Sequence, residues 1–189
     1  MDAKGQVVTV FGSSRPRESE PEYHLAYDVG WELARAGFTV CNGGYGGIME
    51  ASARGAKESG GATIGVISDI FPRKANRWID TTFTATTLVE RMLSLISRGD
   101  AYVILKGGTG TLLEFAAAWE FMNKNVIKEK PIVLVGAFWK GVVETLKEEL
   151  AWEGLSDCTR YVTIVETPES CASYIKQQLK GDNDGTQIR

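Results

Sequence analysis

The sequence has little that would mark a metal, redox or membrane protein. Its three cysteines, Cys41, Cys158 and Cys171, are odd in number and far apart, a pattern that makes neither a zinc site nor a disulfide framework. There is one histidine, His24. It falls in an amphipathic stretch where a structural role is expected, so a histidine-based triad has little to stand on. No apolar run approaches about 18 residues, the length a spanning helix needs, and the N-terminus lacks a signal-peptide pattern. The net charge of −3 brings no bulk attraction to nucleic acid or to an anionic membrane. Both G-x-G-x-x-G and G-x-x-x-x-G-K-[ST] are missing, which removes support for dinucleotide redox and P-loop ATPase chemistry. The expectation is a soluble cytoplasmic protein with neither nucleic acid nor membrane as partner, and with no metal or other cofactor.

What is present is an ordinary globular composition, 43% hydrophobic over 189 residues, enough for one domain with a sizeable core. We expect that domain to span residues 1–180, with the polar residues 181–189 as a frayed tail. Strand-like and helix-like segments alternate along it. Residues 6–11 (QVVTVF) form a β-branched run that ends at Gly12, and residues 21–36 carry Leu25, Val29 and Leu33 at helical spacing before Gly37 stops them. Further strands are predicted at 38–41, 62–67, 83–85, 101–105, 131–135 and 161–165, and further helices at 48–58, 88–98, 109–123, 140–152 and 168–179. This alternation predicts an α/β fold, a Rossmann-like doubly wound sheet that is mainly parallel with helices on both faces. Ligands in such folds sit at the carboxyl ends of strands. Residues 68–82, with Pro72, Arg73, Lys74, Arg77 and Trp78, read as a long surface loop of the kind that serves as a lid or a partner contact.

Three strand ends carry glycines: Gly12-Ser13-Ser14, Gly43-Gly44-Tyr45-Gly46-Gly47 and Gly107-Gly108-Thr109-Gly110-Thr111. The third is the most informative. An apolar run meets a glycine turn and a helix pattern begins at once, so backbone N–H groups at a helix start lie open to an anion. Glu114 follows one turn into that helix. Thr111-Leu112-Leu113-Glu114 also has the spacing of a capping box, in which Glu114 only satisfies a backbone donor. The glycines before it favour a ligand site in either case, because they cost stability unless backbone access or positive φ is needed. Arg91 is the second candidate. On a wheel of residues 88–98, Leu88, Val89, Met92, Leu93, Leu95 and Ile96 form a wide apolar arc and Arg91 lies at its border. There a guanidinium is either held in place or simply buries its stem. The glycines 43–47 lead into Ile48-Met49-Glu50-Ala51, with Ala53, Gly55 and Ala56 allowing close helix–sheet packing; ligand contact and packing explain them equally well. Arg15 and Arg17 are within reach of an anion at the first turn, although loop arginines are usually solvated.

Together these residues resemble the LOG ("lonely guy") family, a group of Rossmann-like proteins long labelled lysine decarboxylases. Its signature P-G-G-x-G-T-x-x-E is matched from Gly107 to Glu114, with Lys106 where the family has proline. Phe11-Gly12-Ser13-Ser14 resembles the opening F-x-G-S-S, and residues 42–51 resemble Y-G-G-G-x-x-G-L-M-G-A. Glu90-Arg91-Met92 falls where the family has E-R-K, so Arg91 matches the catalytic arginine and Met92 replaces a lysine. The resemblance implies a phosphoribohydrolase that cleaves a nucleoside 5′-monophosphate, AMP or a cytokinin riboside monophosphate, to base and ribose 5-phosphate without metal or cofactor. It implies Arg91 and Glu114 as catalytic residues. Gly107, Gly108, Thr109, Gly110 and Thr111 would hold the phosphate, and Gly12, Ser13, Ser14, Gly43, Gly44, Gly47, Met49 and Met92 would line the substrate. It also implies a homodimer or higher homo-oligomer with the site near the subunit interface. Lys106 is expected to add a cation beside the phosphate loop. The competing expectation is a carrier such as the molybdenum-cofactor carrier proteins of the same superfamily, which bind a phosphorylated pterin without hydrolysing it. A pyridoxal-phosphate decarboxylase lacks a convincing Schiff-base lysine and is set aside.

Overall fold

The computed structural model describes residues 5–184, with side chains described for 5–180. Seven strands, β1 (Val7–Phe11), β2 (Thr39–Asn42), β3 (Thr63–Ser68), β4 (Thr81–Ala85), β5 (Ala101–Ile104), β6 (Ile132–Val135) and β7 (Val162–Val165), form one sheet in the order β4-β3-β2-β1-β5-β6-β7. Every neighbouring pair is parallel, so the sheet is wholly rather than mainly parallel. The chain winds outward from β1 to β4, then returns to the other side of β1 at β5. The topological switch therefore lies between β1 and β5, where doubly wound sheets open a crevice.

Six α-helices cover the sheet: α1 (Pro21–Arg35), α2 (Ile48–Glu58), α3 (Leu88–Arg98), α4 (Thr109–Asn123), α5 (Lys140–Trp152) and α6 (Pro168–Asp184). Side chains alternate across the strands. Val8 and Val10 of β1 and Ala101 and Val103 of β5 enter a core shared with Ala26, Val29 and Leu33 of α1 and Ile175 of α6. Phe11, Tyr102 and Ile104 point the other way, into a core with Leu95, Phe115, Trp119 and Val143 of α3, α4 and α5. Most of these are fully buried, and each large aliphatic side chain so buried contributes about 1.5–3 kcal/mol. The central strands are apolar on both faces because both faces are covered.

Several boundaries differ from expectation. α6 runs through Asp184, past the predicted helix end at 179, and residues 185–189 of the expected tail lie outside the described residues. Tyr161 ends a short 3-10 helix, Ser156–Tyr161, rather than beginning β7. Gly55 serves helix–helix rather than helix–sheet packing: a Cβ there would stand 2.0 Å from the Tyr27 carbonyl on α1, and one at Gly30 would stand 2.0 Å from Ser52 on α2. The arc on α3 is only partly core. Leu95 and Ile96 are buried, whereas Leu88, Val89 and Leu93 are exposed, since a wheel shows amphipathicity but not what covers it. Among the described residues no helix is long and apolar enough to cross a membrane.

Candidate active site

β5 ends at Ile104, and Leu105–Gly107 carry the chain to Gly108, the N-cap of α4. The Trp139 indole N–H donates to the Leu105 carbonyl at 3.0 Å and pins this turn. No side chain caps α4. A Cβ at Gly108 or Gly110 would meet nothing within 4 Å, and Gly108 has a negative φ of −95°. Neither packing nor positive φ therefore demands glycine at 108, and the space in front of the first amides of α4 is open. Those amides are orphan donors at the positive end of the helix dipole. The capping-box reading of Thr111 and Glu114 fails because the helix begins at Thr109. Thr111 is already its third residue and lies buried, its Oγ1 against the flat face of Gly107.

The other glycine loops are joined to this one through Ser13. Its amide donates to the Lys106 carbonyl at 3.0 Å, and its own carbonyl accepts from the Ile48 amide at 2.9 Å. Gly47 makes that second contact possible: it has a φ of 67°, and a Cβ there would stand 2.5 Å from the Ser13 carbonyl. The start of α2 is thus closed by protein, whereas the start of α4 is open. Of the two glycine-led helices, α4 is the one whose N-terminus is open to an anion. Lys106 does not face it. Its ammonium ion-pairs with Glu22 of α1 and lies 5.6 Å from the Phe138 ring centre, so its charge is spent on the far side of the loop.

Arg91 is held from three directions. Its Nε donates to the Val66 carbonyl at 2.8 Å and a terminal nitrogen donates to the Gly43 carbonyl at 3.0 Å. Its guanidinium lies 5.4 Å from the Tyr45 ring centre. A Cβ at Gly43 would come within 1.8 Å of that terminal nitrogen, so glycine is required for the arginine to pass. The remaining nitrogen faces Glu114 Oε1 at 3.9 Å, with both side chains largely buried, 13% and 18% exposed. Burial pushes the Glu114 carboxyl up from 4.5 to about 7, against the opposing pull of Arg91. A buried carboxyl with a raised pKa beside a fixed cation in a cavity marks a candidate functional group.

These groups line a cavity of about 460 Å³ at the carboxyl ends of β5, β1, β2 and β3. Of the expected residues, Gly12, Ser13, Ser14, Gly43, Met49, Arg91, Gly108, Thr109, Gly110, Thr111 and Glu114 line it. Gly44, Gly47, Gly107 and Met92 do not: the glycines shape the loops behind it, and Met92 packs half-buried against the core. Arg15 lines the cavity, but Arg17 does not; His24 is exposed on α1. Sequence reading missed Tyr45, Phe71 and Arg73 as cavity residues. The latter two come from the loop between β3 and β4, which Asn76 ties back through bonds of 3.1 Å to the Gly44 carbonyl and 2.8 Å to that of Tyr45. No local pattern marked them, since the same loop also carries Ile70, Arg77, Trp78 and Ile79. Among the described residues no cluster of three metal-ligating side chains occurs.

A profile of the SLOG cluster4 family matches residues 5–171. The chain belongs to the SLOG cluster4 family. Within this LOG-like superfamily it is similar to a cytokinin riboside 5′-monophosphate phosphoribohydrolase of Mycobacterium tuberculosis, 35% identical over 133 residues, covering 68% of this chain and 69% of the relative. A protein of the same name from Rhodococcoides fascians is 31% identical, over 68% of this chain and 66% of its own length. Among solved structures, the molybdenum cofactor binding protein of Rippkaea orientalis superposes with a TM-score of 0.72 at 26% identity, over 94% of this chain and 99% of the other. The SLOG cluster4 chain thus shares its Rossmann-like fold with both a group named for hydrolysis and one named for binding.

Proposed function

We propose that this protein is a phosphoribohydrolase, cleaving the N-glycosidic bond of a nucleoside 5′-monophosphate to free base and ribose 5-phosphate. The observation that carries the reading is the pairing of buried Glu114 with fixed Arg91, in the same cavity onto which the uncapped start of α4 opens. The first amides of α4 and the Thr111 hydroxyl bind the 5′-phosphate. One turn further, Glu114 meets the ribose. As the C1′–N bond lengthens, positive charge develops at C1′ and its ring oxygen. The Glu114 carboxylate stabilises that charge or orients the attacking water. Water oxygen bonds to C1′, the base leaves with the bonding electron pair, and a water proton ends on the base. Arg91 sets the position of Glu114 and offsets substrate charge.

The likeness to a cofactor-binding structure supports a second reading, a carrier for a phosphorylated ligand. A carrier gains nothing from a buried acid held against an arginine, so the hydrolase reading is preferred. We include a homodimer or higher homo-oligomer in it, because exposed Leu88, Val89 and Leu93 on α3 and Leu113 on α4 neighbour Arg91 and Glu114 in sequence and water alone is a poor partner for them.

Incubation with AMP and isopentenyladenosine monophosphate, with free base followed by chromatography, tests the reading. Release of base should fall about 100-fold or more in Glu114→Gln and about 10- to 100-fold in Arg91→Ala. No base from any purine or pyrimidine monophosphate, with tight binding of a pterin phosphate, would establish the carrier instead.

A further inference from the structure

The phosphate-binding start of α4 follows β5, whereas Phe71 and Arg73 stand on the loop after β3. In the order β5-β1-β2-β3 these ends are three strand spacings apart, on the order of 14 Å. A nucleotide bound by its phosphate at α4, with its ribose at Glu114, therefore lays its base towards Tyr45, Phe71 and Arg73.

The hydrogen-bonding character of that end is one-sided. Its side chains supply aromatic rings and guanidinium donors. The Tyr45 hydroxyl is engaged with the main chain of Ser68, accepting from its amide at 2.9 Å and donating to its carbonyl at 3.2 Å. Four carbonyls of lining residues there already accept a hydrogen bond. That of Gly43 accepts from Arg91 and that of Tyr45 from Asn76. That of Met49 accepts from Asn42 at 2.8 Å and that of Phe71 from the Arg73 amide at 2.7 Å. The one carboxylate of the lining, Glu114, is on α4 and faces Arg91. Among the described residues neither Arg15 nor Arg73 forms an ion pair. Arg73 shares its loop with Phe71, whose ring meets Tyr45 edge-on at 5.7 Å. A wall that combines two aromatic rings with an arginine free of carboxylate partners suits a flat base more than a second phosphate.

We infer that the base end of the cavity selects a 6-oxopurine over a 6-aminopurine, with Arg73 as the specificity-determining residue. The inference rests on the nucleotide reading above and sharpens it. The guanidinium fork donates to O6 and N7 of a 6-oxopurine, both acceptors, whereas the 6-amino group of adenine is itself a donor and meets another donor there. Among 6-oxopurines hypoxanthine fits better than guanine, because it lacks the 2-amino donor that would need an acceptor.

IMP and AMP differ at the base only at position 6 and at N1, a donor in hypoxanthine and an acceptor in adenine, so their comparison is the test. The ratio of kcat/KM for IMP over AMP should be about 10 or more in the wild-type protein, and Arg73→Ala should bring it to within about 3 of unity, with Arg73→Lys between. A merely structural role for Arg73 would lower both rates and leave the ratio unmoved. An AMP rate equal to or above that for IMP, or a ratio untouched by Arg73→Ala, overturns the inference and leaves the hydrolase reading standing. If neither nucleotide is cleaved, the hydrolase reading rests on the other monophosphates. The preference is then decided by equilibrium binding to the Glu114→Gln protein, where tighter IMP binding lost in Arg73→Ala supports it and equal affinities overturn it.

Discussion

At the scale of single residues, Glu114 sets a pH dependence whose sign follows from its surroundings. Its carboxyl is lifted to about 7 by burial, above its value in an unfolded chain. Between about 4.5 and 7 the folded protein holds a proton that the unfolded chain has lost. The stability contributed by this group is therefore complete below 4.5 and lost as pH rises through about 7, a difference on the order of 3 kcal/mol. Thermal melts should show Glu114→Gln matching the wild type near pH 4 and exceeding it near pH 8. With the carboxylate as the working form, kcat/KM should rise with pH through about 7; a falling profile would identify the protonated acid as the working form. Lys106 shows how residue type alone misleads. Beside the phosphate loop it reads as an anion ligand, yet Glu22, 84 positions away, claims its charge. No local pattern records so distant a partner.

At the scale of elements, the glycines divide by what a methyl group would meet. At Gly43 it would strike Arg91, and at Gly108 it would enter open space. Gly43→Ala should therefore cut activity about as far as Arg91→Ala, roughly 10- to 100-fold, because the displaced side chain is the arginine. Gly108→Ala should leave stability within about 1 kcal/mol while weakening phosphate binding, and inorganic phosphate titrations beside thermal melts separate the two. Helix existence was legible throughout, since spacing and caps are local. The start of α4 was legible too, at Thr109, although Thr111 and Glu114 mimic a cap two residues inside the helix. The genuine box is at Thr87, whose hydroxyl accepts from the Glu90 amide at 3.0 Å while Glu90 reaches back to the Thr86 amide at 2.7 Å. It passed unread although Thr-x-x-Glu stands there too. Phe71 and Arg73 were beyond reach for a different reason: what folds the loop over the cavity is Asn76 bonding to a turn about 30 residues earlier.

At the scale of the whole molecule, alternation of strand and helix made the parallel sheet legible, because crossover helices impose it. Strand order was not legible, since nothing in the periodicity says that β5 returns to pair with β1. Nor does periodicity say that half the apolar arc of α3 is left uncovered. If that face joins two copies, Val89→Glu with Leu93→Glu should yield a monomer by analytical ultracentrifugation, while an unchanged mass would move the interface elsewhere. One residue carries a broader consequence. Ser13 joins the turn after β5 to the start of α2 through its main-chain amide and carbonyl, so the floor of the cavity is specified by backbone, glycine and strand register. The wall furthest from α4 is made largely of side chains on the loop between β3 and β4, which is tied down by its own contacts at Asn76, Trp78 and Asp80. On the proposed reading, such a division lets lineages that retain about a third of their residues inherit one sugar-phosphate cradle and exchange what it is paired with, changing cargo or chemistry without rebuilding the protein.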